Sequence, residues 1–179
     1  MRSDRPILGR RLMLHSLAEE AARGPYLEWM QDPEVLRFLE ARHAEHDAAS
    51  LVDFIRKANA SAVTLLLGIF ERDGGVHVGN IKLGPIDRLN QRAEIGLLIG
   101  DKTKWGQGYA REAILLLADH AFGALGLRKL TAGLLEPNVA SSKAFAAAGF
   151  VVEARLVRHF LFDGAWVEGV RLAKFAPPG

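Results

Sequence analysis

The sequence predicts an α+β fold, built on a mixed, mostly antiparallel sheet of about seven strands that helices flank. Three observations support this. Strand-like runs over residues 63–70 and 76–83 flank a Gly74-Gly75 hairpin turn. Residues 110–125 carry one apolar stripe at helical spacing. Strand-like runs flank a second turn, Asp163-Gly164.

The first half of the chain is predicted to supply one strand, three helices and the first hairpin. Asp32 is a suitable helix cap, and Pro33 suits the first helical position. The predicted elements are a strand over residues 10–15, helices over residues 18–30, 33–39 and 48–58, and a polar loop over residues 41–47. Residues 1–9 and 176–179 are expected to be loose ends of a single domain spanning residues 1–179.

Residues 93–99 predict a strand that leads through a glycine-containing turn into the long helix. The first N–H groups of a helix lack internal partners and carry the positive end of its dipole. Glycines beside them let an anion approach the main chain. We therefore interpret residues 104–111 as a phosphate-binding turn, whose main chain runs through Trp105, Gly106, Gln107, Gly108, Tyr109 and Ala110.

Two known phosphate-binding patterns do not fit this turn. A Walker loop needs a Gly-Lys pair that is absent, and the dinucleotide fingerprint needs a glycine where Arg111 stands. A tight turn without any ligand is the simpler alternative for this window taken alone.

The second half of the chain adds a strand over residues 129–134 and a helix over residues 138–148. Asn138 is a plausible cap for this helix, and Gly149 suits its C-terminal end. Strands over residues 150–162 and 166–174 complete the predicted order.

The motif WGQGYA before a long helix, a strand, and then N-x-x-S-x-x-x-F-x-x-x-G-F at residues 138–150 resembles the GNAT superfamily of acetyl-coenzyme A-dependent N-acetyltransferases. The run RLML at residues 11–14 and the spacing W-x-x-D-P-E-V-x-x-F at residues 29–38 resemble the branch of ribosomal-protein-alanine acetyltransferases. The resemblance covers nearly the whole chain. It implies transfer of an acetyl group from acetyl-coenzyme A (acetyl-CoA) to a primary amine, either a protein N-terminus or a small molecule such as an amino sugar.

The resemblance also implies a site. Main-chain groups of the strand holding Leu97, Leu98 and Ile99 would polarise the thioester. Asn138 would contact the pantetheine arm and Lys143 the phosphates. Ser141 would donate a hydrogen bond to the departing sulfur, since Phe145 stands where many members have a tyrosine acid. The acceptor pocket is expected around residues of the early helices and their loop, namely Trp29, Phe38 and His43.

Glu94 is the first candidate for the base, because it is a charge inside an otherwise apolar strand beside the expected thioester. It could instead face solvent or an arginine partner, and a water chain could serve as base. Asp87 is a weaker candidate that suits a turn. Gly96 marks either a bulge that separates two strands or simple packing space.

Two further interpretations stay open: a non-catalytic coenzyme A-binding sensor or scaffold, and an unrelated phosphate-binding domain. Composition narrows the partners. A net charge of +2 without a Lys/Arg cluster argues against nucleic acid. With no cysteine and no histidine cluster, no metal site is expected. Without a signal or membrane-length segment, a cytoplasmic protein is expected, and a homodimer is a guess from the family.

Overall fold

A computed structural model describes residues 5–177 as one eight-stranded sheet with helices packed on its faces. The strands are β1 Ile7–Leu8, β2 Leu12–Ser16, β3 Leu65–Glu71, β4 His77–Leu83, β5 Arg92–Ile99, β6 Lys129–Leu135, β7 Val151–Phe162 and β8 Ala165–Phe175. The α-helices are α1 Pro25–Trp29, α2 Pro33–Leu36, α3 Ala48–Ala60, α4 Tyr109–Gly123 and α5 Val139–Ala147. The predicted α+β fold is confirmed.

The sheet has the order β1-β2-β3-β4-β5-β6-β8-β7. Every neighbouring pair of these strands is antiparallel except β5 and β6, which run parallel. That parallel pair is also the shortest of the central contacts, because it joins only Arg92–Glu94 to Lys129–Thr131. Beyond Glu94 the two strands separate, and β6 continues beside β8 alone.

Two hydrophobic cores lie on the two faces of this sheet. The larger core joins α4 and α5 to the sheet through residues such as Ile95, Ile114 and Phe145. The smaller one packs α1, α2 and α3 against the other face, with Trp29 and Leu98 among its members. Strand β5 therefore presents alternate residues to the two cores, as a central strand should.

Three predicted boundaries need correction. The helix predicted over residues 18–30 is broken into a 3₁₀ helix, Glu19–Arg23, and α1, because Pro25 has no N–H and disfavours helical geometry at Gly24. The predicted loop over residues 41–47 begins within a 3₁₀ helix, Glu40–His43.

The third correction concerns the predicted loose start, where Ile7–Leu8 pair with β2 and supply the eighth strand. The parts of the predicted loose ends at residues 1–4 and 178–179 lie outside the described residues. Within residues 5–177, no helix combines the length and the apolar character that crossing a membrane requires.

Candidate active site

The separation of β5 from β6 leaves main-chain groups of β5 facing a gap. Along a strand, the N–H and C=O of one residue point to the same side, and successive residues alternate. The Glu94 carbonyl accepts from Gly84 N–H on the β4 side, at 2.8 Å. The main-chain groups of Leu97 and Ile99 therefore face the gap, whereas Leu98 pairs with Asn80 of β4.

The predicted phosphate-binding turn follows β5 after a short 3₁₀ helix, Lys102–Lys104. Gly106 and Gly108 have φ values of 71° and 81°, which favour glycine because they are left-handed. Helix α4 begins at Tyr109, and no side chain within residues 5–177 caps its first N–H groups. An uncapped helix start next to two glycines is suited to hold an anion on the main chain.

Helix α5 lies across the gap from this turn and is capped differently. The Asn138 side chain accepts a hydrogen bond from Ser141 N–H at 3.1 Å, which confirms the predicted cap. The Arg111 Nε donates to the Ala147 carbonyl at 3.0 Å and ties the start of α4 to the end of α5.

The strand end, the turn and the two helices enclose one cleft of about 820 Å³. Residues from α2 and the segment after it complete its wall. Its lining is Glu34, Val35, Arg37, Phe38, Leu39, Leu97, Leu98, Ile99, Lys104, Trp105, Gly106, Gly108, Tyr109, Ala110, Arg111, Asn138, Val139, Ala140, Ser141, Lys143, Ala144 and Ala147.

A polar network anchors the turn to the sheet. Tyr109 Oη donates to Glu71 Oε1 at 2.5 Å, and Lys104 Nζ pairs with the same oxygen at 2.9 Å. The hydrogen bond from Tyr109, assisted by Lys104, lowers the pKa of Glu71, and the same hydrogen bond raises the pKa of Tyr109. The ionised Glu71 carboxylate therefore anchors the turn to β3.

Arg11 and Glu112 form a second anchor. Arg11 Nε pairs with the Glu112 carboxylate at 2.9 Å, and its Nη1 donates to the Gln107 carbonyl in the turn at 3.1 Å. Burial alone would raise the pKa of Glu112, but the main-chain N–H groups of Arg11 and Leu12 and the Arg11 guanidinium together lower it.

Trp105 links the turn to the open edge of β5. Its Nε1–H donates to the Ile99 carbonyl at 2.8 Å. That carbonyl faces the gap, so the indole covers one end of the strand edge while its ring lines the cleft. The indole therefore joins the start of the turn to the end of β5.

Glu94 lies at the point where β5 and β6 separate. Its carboxylate pairs with Arg171 of β8 at 3.2 Å, with the two side chains 44% and 46% exposed. The pair spans β6 at Gly133, where a Cβ would lie 3.8 Å from Glu94 Oε1. The predicted arginine partner is therefore present, and Glu94 is absent from the lining of the cleft.

Most predicted cofactor residues line the one cleft, and their roles stay predictions. Two do not. Phe145 is 1% exposed and packs edge-on against Phe150 in the larger core. Gln107 points its side chain back to the Thr103 carbonyl. Phe145 needs correction because its ring fills the core. The Gln107 amide braces the turn, and the main-chain role predicted for Gln107 stays a prediction.

The three residues predicted for the acceptor pocket lie in three different places. Phe38 lines the cleft. Trp29 is 7% exposed in the smaller core and contacts His77, so it is corrected to a core residue. A Cβ at Gly100 would collide with its ring. His43 is outside the cleft and lines a second cavity instead.

Two smaller predictions are resolved. Asp87 accepts hydrogen bonds from Asn90 and Arg92, which confirms its turn role. The β4–β5 register passes through Gly96 without a shift, so no bulge explains the gap. Among residues 5–177, no group of three or more His, Asp or Glu side chains is arranged to hold a metal ion.

Sequence reasoning missed several lining or supporting residues: Arg11, Arg37, Glu71, Lys104, Arg111 and Glu112. Lys104 and Arg111 stand at the edges of the predicted turn, and their charges were the available signal for an anion site. The Glu71 and Glu112 contacts join residues 38 and 101 positions apart, which no local pattern reveals.

Comparison with known proteins adds to this geometry. A family model described as "Acetyltransferase (GNAT) domain" matches residues 11–151. An uncharacterized N-acetyltransferase of Bacillus subtilis, YoaA, is 28% identical over 156 residues, which cover 86% of this chain and 87% of that protein.

Solved structures share the fold. Spermidine N-acetyltransferase from Vibrio cholerae, in complex with CoA and spermine, gives a TM-score of 0.82 at 20% identity, covering 92% of this chain and 95% of that one. Mycobacterium smegmatis RimJ in complex with CoA-disulfide gives a TM-score of 0.80 at 23% identity, covering 92% of this chain and 82% of that one. On the family match, which spans most of its length, the chain belongs to the GNAT family of acetyltransferases.

Proposed function

We propose that the protein transfers the acetyl group of acetyl-CoA directly to a primary amine bound in the same cleft. One observation carries the proposal: the open edge of β5, the uncapped start of α4 and the capped start of α5 line one continuous cleft. The strand edge can bind the thioester, and the start of α4 can bind the diphosphate. The face of α5 can hold the arm that joins these two parts of the coenzyme.

The fit to the coenzyme rests on the charges and donors of the cleft. The diphosphate would lie on the main-chain N–H groups from Gly106 to Ala110. Lys104, Arg111 and Lys143 line the same cleft and add positive charge around that position. Asn138 uses its side-chain oxygen as a helix cap, which leaves its Nδ2 as a donor for an amide of the pantetheine arm.

The main chain of β5 would act on the thioester. The Leu97 N–H faces the gap and is fixed by the sheet, so it can stabilise negative charge on the carbonyl oxygen without reorganising. The amine nitrogen bonds to the carbonyl carbon, and the carbon–sulfur bond breaks. Ser141 lines the cleft, and its hydroxyl would donate a hydrogen bond to the departing thiolate, which then takes a proton from water.

The amine must lose a proton, since an aliphatic ammonium has a pKa near ~10. Glu94 is three residues before Leu97, about 10 Å along the strand at ~3.3 Å per residue. We therefore assign Glu94 as the final proton acceptor, reached from the amine through water. This proton path combines the two alternatives predicted for the base, which were a carboxylate and a water chain.

The test is release of free thiol from acetyl-CoA against a panel of small amines and peptides with free N-termini, with coenzyme A binding measured separately by calorimetry. Turnover with at least one amine supports the proposal. Tight coenzyme binding without turnover on any amine favours a sensor or scaffold instead. Absence of coenzyme A binding would exclude both.

A further inference from the structure

A second cavity of about 780 Å³ lies beside the cleft, between the segment around α2 and the tip of the β7–β8 hairpin. Arg37 lines both cavities. Its lining also includes Arg42, Glu45, Phe162 and Asp163. A molecule that reaches the cleft from this side must therefore pass the Arg37 guanidinium.

Two aromatic rings support this guanidinium. Phe38 and Phe162 stack with their centroids 5.3 Å apart and an interplanar angle of 19°. The Arg37 Cζ lies 5.3 Å from the Phe38 centroid and 5.7 Å from that of Phe162. Aromatic faces favour a flat guanidinium and limit its rotation, which prepares its N–H groups for a bidentate anion.

The present partner of Arg37 is weak. Its Nη2 lies 3.4 Å from Asp163 Oδ2, with the two side chains 58% and 70% exposed. Exposed pairs of this kind contribute about 0–1 kcal/mol, so an anion on a bound ligand can displace Asp163. The other carboxylate in the cavity, Glu45, is exposed.

A second guanidinium, that of Arg42, also lies against Phe162. The Arg42 Cζ is 5.8 Å from the Phe162 centroid, and the side chain is only 17% exposed. Its Nη1 donates to the Leu39 carbonyl at 2.9 Å, which holds it in the wall. The same nitrogen lies 4.0 Å from Oε1 of the exposed Glu40, a distance at which an ion pair is weak. Where an anion displaces these weakly held carboxylates, two ring-supported guanidinium groups in one cavity would bind it and disfavour a polycation.

We propose that the acceptor is a primary amine that carries an anionic group, a carboxylate or a phosphate, which Arg37 and Arg42 bind in the second cavity. This inference rests on the proposed acetyl transfer and narrows its acceptor class. It also separates this chain from a polyamine acetyltransferase such as the one named among its structural neighbours, because a polycation would meet two arginines.

The experiment compares amines that differ by one anionic group. Lysine is paired with cadaverine, glucosamine 6-phosphate with glucosamine, and spermidine represents the polycations. We expect the anionic member of at least one pair to have a kcat/KM about 10-fold or more above its partner. This is the effect expected when a substrate gains one hydrogen bond to a charged group. The pair that shows the preference identifies the group as carboxylate or phosphate.

Variants of Arg37 test whether this residue causes the preference for the anionic amine. R37Q should remove the preference, mainly by raising KM for the amine that carries the anion, so that kcat/KM becomes similar within the pair. R37K should restore only part of it, because lysine has no planar fork. The control is R56Q, which removes an exposed arginine that pairs with Glu19 outside both cavities and should preserve the preference.

The outcomes separate the two proposals. Equal kcat/KM within both pairs, or spermidine as the best acceptor, would overturn the anionic acceptor while acetyl transfer stands. A preference that persists in R37Q also overturns it. Absence of coenzyme A binding is a failure of the proposed function itself.

Discussion

The phenolic oxygen of Tyr109 lies 2.5 Å from Glu71 Oε1, and this contact joins the first residue of α4 to the last residue of β3. Lys104 reaches the same carboxylate from the other end of the turn. The turn between Lys104 and Tyr109 is therefore closed at both ends on one side chain of the sheet. An anion site made of main-chain donors needs such an anchor, because its donors cannot adjust individually.

We predict that Glu71→Gln weakens both the fold and coenzyme binding. The amide keeps the shape but loses the charge that Lys104 pairs with and that makes the Tyr109 hydrogen bond strong. The free energy of unfolding should fall by about 1–2 kcal/mol, and the Kd for coenzyme A should rise several-fold. Urea unfolding and calorimetry measure the two effects.

The matched control is Glu153→Gln, which removes a carboxylate paired with Lys129 on strands away from the cleft. It should change the free energy of unfolding by no more than about 0.5 kcal/mol and leave coenzyme binding unchanged. Equal Kd values for the two variants would show that the Glu71 anchor does not shape the turn.

Gly108 gives a second prediction for the turn. Its φ of 81° is left-handed, and a Cβ there would lie 3.5 Å from Arg11 Nη2. Gly108→Ala should therefore lower the free energy of unfolding by about 1–2 kcal/mol and weaken coenzyme A binding. Gly123→Ala is the control, since it lies at the end of α4 with open space around a Cβ and should be neutral or stabilising.

Local signals explain what the sequence could predict of this site. The turn at residues 104–111 and the Asn138 cap depend on glycines, a helix start and a side chain bonding three residues ahead. Each of these is encoded within a few positions. Of the cleft residues in these two segments, the sequence therefore predicted Trp105, Gly106, Gly108, Tyr109, Ala110, Asn138, Ser141 and Lys143. It did not predict Val139 and Ala140, and the predicted Gln107 is absent from the lining.

The errors have a different physical origin. Trp29 and Phe145 are aromatic residues in motifs, and nothing local distinguishes an aromatic that fills a core from one that lines a cleft. Arg37 lines both cavities only because the β7–β8 hairpin brings Phe162 to it from 125 positions further along the chain. Contacts of that separation are fixed by the sheet order, which single-sequence patterns do not contain.

Ser141 provides a test of how the thiolate is stabilised. Ser141 of α5 lines the cleft, while the neighbouring Ser142 is absent from the lining. Ser141→Ala should lower kcat by about 10-fold, the value of one hydrogen bond to a charged group, and leave the Kd for coenzyme A nearly unchanged. Ser142→Ala is the control, and a wild-type rate in both variants would return Ser141 to a structural role in the helix.

Stability should also depend on pH through His77. Burial lowers the pKa of His77, with the charge of His15 acting in the same direction, although its Nε2 has Asn80 Oδ1 and the Gly79 carbonyl as partners. Its neutral form therefore favours the folded state. This contribution is complete above the unfolded pKa of about 6.5 and is lost as the pH falls toward the lower folded value.

We expect the free energy of unfolding of the wild type to fall between pH 7.5 and pH 5.5, and to fall less in His77→Gln, which cannot take up a proton. Each tenfold difference in proton affinity is worth about 1.4 kcal/mol. The measurement is urea unfolding of both proteins at both pH values. An equal fall in the two proteins would assign the pH dependence to other groups.

Glu94 is the sharpest test of the mechanism, because its ion pair with Arg171 gives it a structural explanation as well. Glu94→Gln should lower kcat by about 100-fold, the lower end of the range for a general base, while the Kd for coenzyme A holds. Raising the pH should recover part of the rate, since more of the amine is then already deprotonated.

Arg171→Gln separates the two explanations, because it breaks the same ion pair and leaves the carboxylate in place. If Glu94 serves only the pair, the two variants must lose the same activity and the same stability, and their pH–rate profiles must coincide. If Glu94 accepts the proton, Arg171→Gln keeps most of the rate, whereas Glu94→Gln loses it even though an exposed pair of this kind is worth only about 1 kcal/mol to the fold. The difference between the two rates therefore measures the catalytic role directly.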